Sequence, residues 1–156
     1  MNIEDKNKYI KMSDDTVPCG HFLDNNDPHN FSSLAREYLE AAKFTHAGFM
    51  GTPTWPTYFL VFQSLENFLK AYLLAHGATL DHVKNSVGHR ICLALAEAKA
   101  KGLVVQAPKD VEDAVMAMSS DYTDKDFQYR SVGRWTLVLP NVAIHYVEAV
   151  SKLVNY

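Results

Sequence analysis

The chain has 156 residues, of which 47% are hydrophobic and 12% aromatic, and its formal net charge at pH 7 is −3. This length predicts one domain, and the apolar fraction excludes an intrinsically disordered body. The negative charge excludes an overall electrostatic attraction to nucleic acid, but it leaves room for a local basic patch. The sequence lacks an apolar run of roughly eighteen residues and an apolar stretch near its start, so we expect a cytoplasmic protein without a membrane-spanning segment.

The chain starts with a polar segment, and the first helix follows it. Residues 1–27 are rich in Asp and Asn and are predicted to form a leader or arm before a single helical domain over residues 28–156. Asp27 and Pro28 form the pattern of an N-cap followed by a first-turn proline. Apolar residues then recur every three or four positions, which predicts an amphipathic helix over about 28–47. Its opposite face, which includes Ser32, is predicted to be solvated.

The second predicted helix is apolar on nearly all sides. It follows a Gly- and Pro-containing break, has Pro56 in its first turn and ends near His76, with Gly77 as a left-handed stop. Such a helix is typical of the centre of a domain or of a subunit interface. One narrow polar face interrupts it, formed by Gln63, Glu66, Asn67 and Lys70. We expect this face to line a polar cleft or a seam between helices.

Three more helices are predicted in the remainder of the chain. A polar connector, with one short helical turn after Asp81, leads to an alanine-rich helix over about 89–101, in which Cys92 is expected to be buried. Pro108 starts a fourth helix and Pro140 a fifth. The intervening segment, 119–135, is long, polar and aromatic, as functional loops often are. Strand signals are weak and are confined to residues 132–139. The predicted fold is therefore an all-α up-and-down bundle of about five helices.

Several short motifs of this chain resemble those of the HEPN family (higher eukaryotes and prokaryotes nucleotide-binding). Residues Glu66 to Gly77 follow the pattern E-x-x-L-K-A-x-L-x-x-x-G, and after the connector comes Gly88-His89 with Leu93 and Leu95 behind it. Tyr129-Arg130 is similar to the aromatic-arginine pair that precedes the last helix in that family. The likeness covers about residues 31–154.

This resemblance implies a helical bundle that is often dimeric, from bacteria or archaea. It also implies either an RNA-cleaving toxin or the partner of a small nucleotidyltransferase in a toxin–antitoxin pair. Ribonuclease members carry R-x4-6-H near the last helix, where the arginine holds phosphate and the histidine does acid–base chemistry. Arg130 lacks a histidine at that spacing, and the next one is His145. Arg36, Arg90 and Arg134 lack one as well.

The candidate site residues each allow a structural and a functional interpretation. Glu66 and Lys70, one turn apart, either fix the register between helices or subunits, or bind a phosphate through Lys70 with Glu66 orienting it. His89 is predicted at the start of the third helix, where the dipole favours a neutral imidazole. It is either a capping or core contact, or a polar partner of Glu66 or Lys70 in the same cleft.

The predicted loop before the last helix contains a second set of candidates. Arg130 and Arg134, with Tyr129 and Trp135, either bind a phosphate and stack a base, or clamp the loop onto the bundle. No metal site is predicted, because His145-x-x-Glu148 and Cys19-Gly20-His21 are too sparse a set of ligands. No cofactor-binding motif occurs, so we expect no cofactor.

Three functions follow from these interpretations. The preferred one is a non-catalytic module that recognises RNA, a nucleotide or a cognate protein partner through the region of Glu66, Lys70, His89 and Arg130. The second is a ribonuclease with a displaced site, in which His89 or His145 replaces the missing histidine. The third is a purely structural helical dimer. A homodimer is expected because the second helix has more apolar surface than one small domain needs.

Overall fold

The computed structural model describes residues 27–124 and 138–156, and these residues form an all-α bundle. Its α-helices are α1 (Pro28–Gly48), α2 (Trp55–Ala75), α3 (Ile91–Ala100), α4 (Lys109–Thr123) and α5 (Pro140–Ser151). A π-helical turn, His82–Val87, lies between α2 and α3, and the two described ranges contain no β-strand. The predicted helical bundle is confirmed, and most helix ends lie within a few residues of those expected. The exception is α4, which continues to Thr123, so residues 119–123 are helical and do not belong to the predicted loop. The predictions for the leader, for the extended segment before Val138, and for Tyr129, Arg130, Arg134 and Trp135 lie outside the described residues.

Local backbone and capping interactions explain where the first two helices begin and where the second one ends. The side chain of Asp27 accepts a hydrogen bond from the backbone N–H of His29 at 2.9 Å, with Pro28 in the first turn. Thr54 caps α2 in the same way, through the backbone N–H of Thr57 at 3.4 Å. After α2, Gly77 adopts a φ of +85°, which a residue with a side chain rarely adopts, and it turns the chain away from the helix axis.

The central element of the bundle is α2, which packs against α1, α3, α4 and α5. Its largest buried side chains point in several directions and include Tyr58, Phe62, Leu65, Phe68, Leu69 and Leu73. Other helices of the same chain cover this surface, so the apolar breadth of α2 does not require a second copy, and the homodimer stays a prediction. None of the described helices combines the length and the apolar character that crossing a membrane would take.

Two predictions of exposure are wrong. Ser32 is buried, because its hydroxyl lies 3.2 Å from the carbonyl of His29 and 3.3 Å from that of Tyr156, where the last residues fold back onto α1. Cys92 is exposed rather than buried, with its Sγ 3.0 Å from the hydroxyl of Ser119. Both errors concern which side of a helix a distant segment covers.

Candidate functional site

The most unusual polar feature of the described residues is a buried carboxylate on α2. Glu66 is 3% exposed, and its Oε1 accepts a hydrogen bond from Nζ of Lys70 at 2.5 Å. Its Oε2 accepts one from the hydroxyl of Tyr122, on α4, also at 2.5 Å. Nδ1 of His89 lies 3.1 Å from Oε1 and 3.0 Å from Oε2. We call Glu66, Lys70, His89 and Tyr122 the Glu66 cluster.

Three of the predicted site residues therefore come together, at a seam between α2, α4 and the turn that precedes α3. Lys70 is 7% exposed, so its pair with Glu66 is a buried ion pair rather than a solvated one. Removing one partner of such a pair leaves an uncompensated charge in the interior, which is strongly destabilising. The neighbouring Asn67 is not part of the cluster, because its amide donates to the carbonyl of Gln63 at 2.7 Å.

The structure separates His145 from the cluster. It lies on α5, where its Nδ1 is 2.6 Å from the carbonyl oxygen of Asn141, one turn earlier in the same helix. It lines a groove of about 230 Å³ together with Pro108 and Val111, and no member of the Glu66 cluster lines that groove. Of the two histidines predicted as substitutes for the missing one, His89 alone contacts a carboxylate.

The hydroxyl of Tyr122 stays protonated because it is buried next to the carboxylate of Glu66. Burial raises the pKa of Tyr122 far above the ordinary value of 10.0, and the charge of Glu66 and the hydrogen bond to it raise it further. The hydroxyl is therefore a permanent donor to Glu66 at any pH near neutrality. Sequence reasoning missed this residue, although Val111, Val115, Met118 and Tyr122 continue one helical stripe that indicates an inward-facing side chain.

The hydrogen-bond network assigns the tautomer of His89. An ionised carboxylate only accepts hydrogen bonds, so Nδ1 must carry the hydrogen that points to Glu66. Nε2 lies on the opposite side of the ring, and the side chain is 63% exposed. Within the described ranges no hydrogen bond involves Nε2. Nε2 of His89 therefore faces solvent, while Nδ1 of the same ring is bonded to the buried carboxylate of Glu66.

The backbone around His89 is also fixed. The π-helical turn ends at Val87, and the next residue, Gly88, adopts a φ of +57° immediately before His89. The hydroxyl of Thr123 lies 3.0 Å from the carbonyl oxygen of His89 and 2.9 Å from that of Ser119, so its one hydrogen is shared between the turn and the end of α4. His89 was expected to start the third helix, but α3 begins at Ile91, so Glu66 rather than the helix dipole determines its environment.

An open groove of about 290 Å³ lies beside His89, between the start of α3 and the end of α4. It is lined by Arg90, Cys92, Leu93, Ser119, Ser120, Thr123 and Asp124. One cation, one anion and three hydroxyls give it hydrogen-bonding capacity without a net charge. Across residues 27–124 and 138–156, no group of three or more His, Cys, Asp or Glu side chains is arranged to hold a metal ion.

Comparison of the chain with protein-family models, with curated proteins and with solved structures finds no match. The resemblance to the HEPN family therefore rests on the sequence motifs alone. Four residues that carry those motifs, Glu66, Lys70, Gly88 and His89, lie in the Glu66 cluster or next to it.

Proposed function

We propose that this chain is a HEPN-like module that binds RNA or a nucleotide without cleaving it, and that His89 contacts a phosphate group. The observation that carries this proposal is that the exposed imidazole of His89 is hydrogen-bonded through Nδ1 to the buried carboxylate of Glu66. A helix that served packing alone would do as well with apolar residues in place of Glu66 and Lys70, because buried ion pairs gain little net stability. What the buried pair adds is a histidine of fixed orientation at the surface.

The charge of the cluster suits an anion. Lys70 already balances Glu66, so a proton taken up by His89 leaves one uncompensated positive charge, and that charge faces solvent. In this protonated form both ring nitrogens carry hydrogen: Nδ1–H stays bonded to Glu66, and the added hydrogen on Nε2 points outward as a charged donor, the kind of group that binds phosphate oxygens strongly. Arg90, the next residue, is exposed and lines the adjacent groove. Its guanidinium supplies a second cation for the same ligand.

The other members of the cluster support the proposal that RNA is bound without being cleaved. General acid–base cleavage of RNA uses two groups, one that removes a proton and one that returns it to the leaving oxygen. Lys70 and Tyr122 are buried and donate their hydrogens to Glu66, so within this cluster His89 alone reaches solvent. One imidazole is sufficient to bind a phosphate, but it supplies only one of the two groups that cleavage requires.

The alternative is a ribonuclease with a displaced site, and one observation favours it. A carboxylate bonded to Nδ1 is the arrangement by which many enzymes hold a histidine in the tautomer that acts as a general base. This chain has that arrangement at His89 and not at His145. The alternative therefore assigns the base to His89, with Arg130 as the phosphate contact that the sequence motif implies.

The experiment measures binding of a fluorescent single-stranded RNA by anisotropy at several salt concentrations. We expect an affinity that falls with salt, and a loss of roughly tenfold in His89→Ala, the effect of one charged hydrogen bond. His82→Ala is the matched control, because His82 also bonds a glutamate, Glu97, at 2.7 Å but lies outside the cluster. Equal losses in both variants, or no binding at low salt, would overturn the proposal.

The same RNA, run on a gel after incubation, separates the two functions. Intact RNA with the wild-type protein supports the binding module. Cleavage that disappears in both His89→Ala and Arg130→Ala supports the ribonuclease.

A further inference from the structure

The two oxygens of Glu66 have different partners, and this fixes the plane of the carboxylate. Lys70 bonds Oε1 and Tyr122 bonds Oε2, so each oxygen has its own donor. The last torsion of a glutamate side chain is otherwise broad, and its carboxylate rotates with little resistance. With both oxygens held, Nδ1 of His89 faces them almost symmetrically, at 3.1 and 3.0 Å.

We propose that Tyr122 is a positioning residue for His89: its hydroxyl, acting through Glu66, holds the imidazole in the Nδ1–H tautomer and turns Nε2 outward. The importance of this for ligand binding rests on the proposed function. The effect on the imidazole itself does not, because it concerns hydrogen bonds within the protein.

Tyr122 is suited to this role because its ring is immobilised. The ring stacks on Phe62 with 5.9 Å between centroids and lies 6.3 Å from the ring of Phe59. It also meets the ring of His89 edge-on, at 6.4 Å. The oxygen of a hydroxyl on such a ring keeps its position, so its donor stays beside Oε2 of Glu66. The lysine ammonium, on a flexible stem with three hydrogens, can follow a rotating carboxylate, so Lys70 alone does not fix its plane.

The end of α4 holds His89 in two places. Tyr122 acts on the imidazole through Glu66, and the hydroxyl of the next residue, Thr123, lies 3.0 Å from the carbonyl oxygen of His89 while also contacting that of Ser119. Removal of the Tyr122 hydroxyl leaves the backbone contact in place. The substitution Tyr122→Phe therefore frees the carboxylate without releasing the turn, and this makes it a clean test.

The experiment compares Tyr122→Phe with Tyr146→Phe. Tyr146 is also buried and also donates to a glutamate, Glu112, at 3.0 Å, but neither residue contacts His89. Nitrogen-15 NMR of the histidine side chains reports the tautomer directly. We expect the wild type and Tyr146→Phe to show His89 with hydrogen on Nδ1, and Tyr122→Phe to show a mixture of tautomers. RNA affinity should fall roughly three- to tenfold in Tyr122→Phe alone, the effect of one hydrogen bond.

The outcomes separate this inference from the proposed function. A His89 that keeps a single Nδ1–H tautomer in Tyr122→Phe overturns the inference, whatever the RNA result. A mixture of tautomers supports positioning even if the wild type binds no RNA, in which case the proposed function fails by itself. A mixture with unchanged RNA affinity overturns the role of Tyr122 in binding.

Discussion

Two clusters among the described residues are built from glutamate, lysine and tyrosine, and one of the two also includes a histidine. In the Glu66 cluster, the carboxylate bonds Lys70 and Tyr122. In a second one, which we call the Glu112 cluster, Glu112 on α4 bonds Lys99 on α3 and Tyr146 on α5. Each joins three parts of the chain through one glutamate. The Glu112 cluster is therefore an internal reference for what glutamate, lysine and tyrosine do when they only hold helices together.

Two differences separate the clusters. Lys70 is buried, whereas the side chain of Lys99 is 41% exposed. The ion pair of the Glu66 cluster is therefore shielded from water, and that of the Glu112 cluster is hydrated. The Glu66 cluster also has His89, whose imidazole extends the buried charge to the surface. Stabilising a bundle needs neither feature, as the Glu112 cluster illustrates. This difference is why we propose that His89, and not the Glu112 cluster, contacts a ligand.

The largest expected effect comes from removing the lysine of each cluster. Lys70→Met leaves Glu66 buried without its counter-charge, so the free energy of unfolding should fall by about 3–5 kcal/mol. Lys99→Met removes a partly exposed partner, and the loss should stay below about 1 kcal/mol. Urea unfolding of both variants measures the contrast. Similar losses would mean that the two ion pairs are not energetically different.

A substitution at Gly88 should detach His89 from the Glu66 cluster. Glutamate, lysine and tyrosine then remain bonded to one another, as in the Glu112 cluster. An added methyl group strains the backbone, because Gly88 has a φ of +57°, and we expect a loss of about 1–3 kcal/mol in Gly88→Ala. His89 should leave Glu66 while Lys70 and Tyr122 remain. Gly48→Ala is the control, since its added methyl group would meet nothing within 4 Å. Circular dichroism in urea gives the stabilities, and an unchanged NMR spectrum of His89 in Gly88→Ala would contradict the prediction.

Both clusters contain a buried tyrosine that donates to a glutamate, and the stability of the protein at alkaline pH tests this shared feature. Burial raises the pKa of both Tyr122 and Tyr146 above the ordinary value of 10.0, and the adjacent glutamates raise it further. Unfolded tyrosine ionises near pH 10 whereas these two stay protonated when folded, so their stabilisation is complete below pH 10 and is lost as pH rises above it. The loss should reach about 1.4 kcal/mol per pH unit for each tyrosine. Urea unfolding between pH 8 and pH 11 should show a shallower decline in Tyr122→Phe and in Tyr146→Phe. A decline as steep as that of the wild type would contradict this account.

Local signals explain how much of the fold could be predicted. Asp27-Pro28, Pro56, Gly77 and Pro140 mark helix ends through backbone chemistry that acts within a few residues, and the structure agrees with them. The polar face of α2 was likewise visible from spacing alone. The burial of Ser32 was not, because it depends on Tyr156, which lies far along the chain.

The site was predictable only in part for the same reason. Glu66 and Lys70 follow from their separation of four residues, and His89 follows from its motif. Tyr122 is 56 residues from Glu66, and no local pattern connects them. The signal that was available, the continued apolar stripe of α4, indicates a buried ring but not the partner of its hydroxyl.

The most direct test of the central claim is the RNA affinity of His89→Ala beside that of His82→Ala. Both substitutions remove an imidazole that is bonded to a glutamate, at 3.0 Å for His89 and 2.7 Å for His82. The account predicts a loss of roughly tenfold for His89→Ala and none for His82→Ala. Equal affinities in the two variants would show that the buried carboxylate orients His89 for no ligand of this kind, and the Glu66 cluster would then be a helix clamp like the Glu112 cluster.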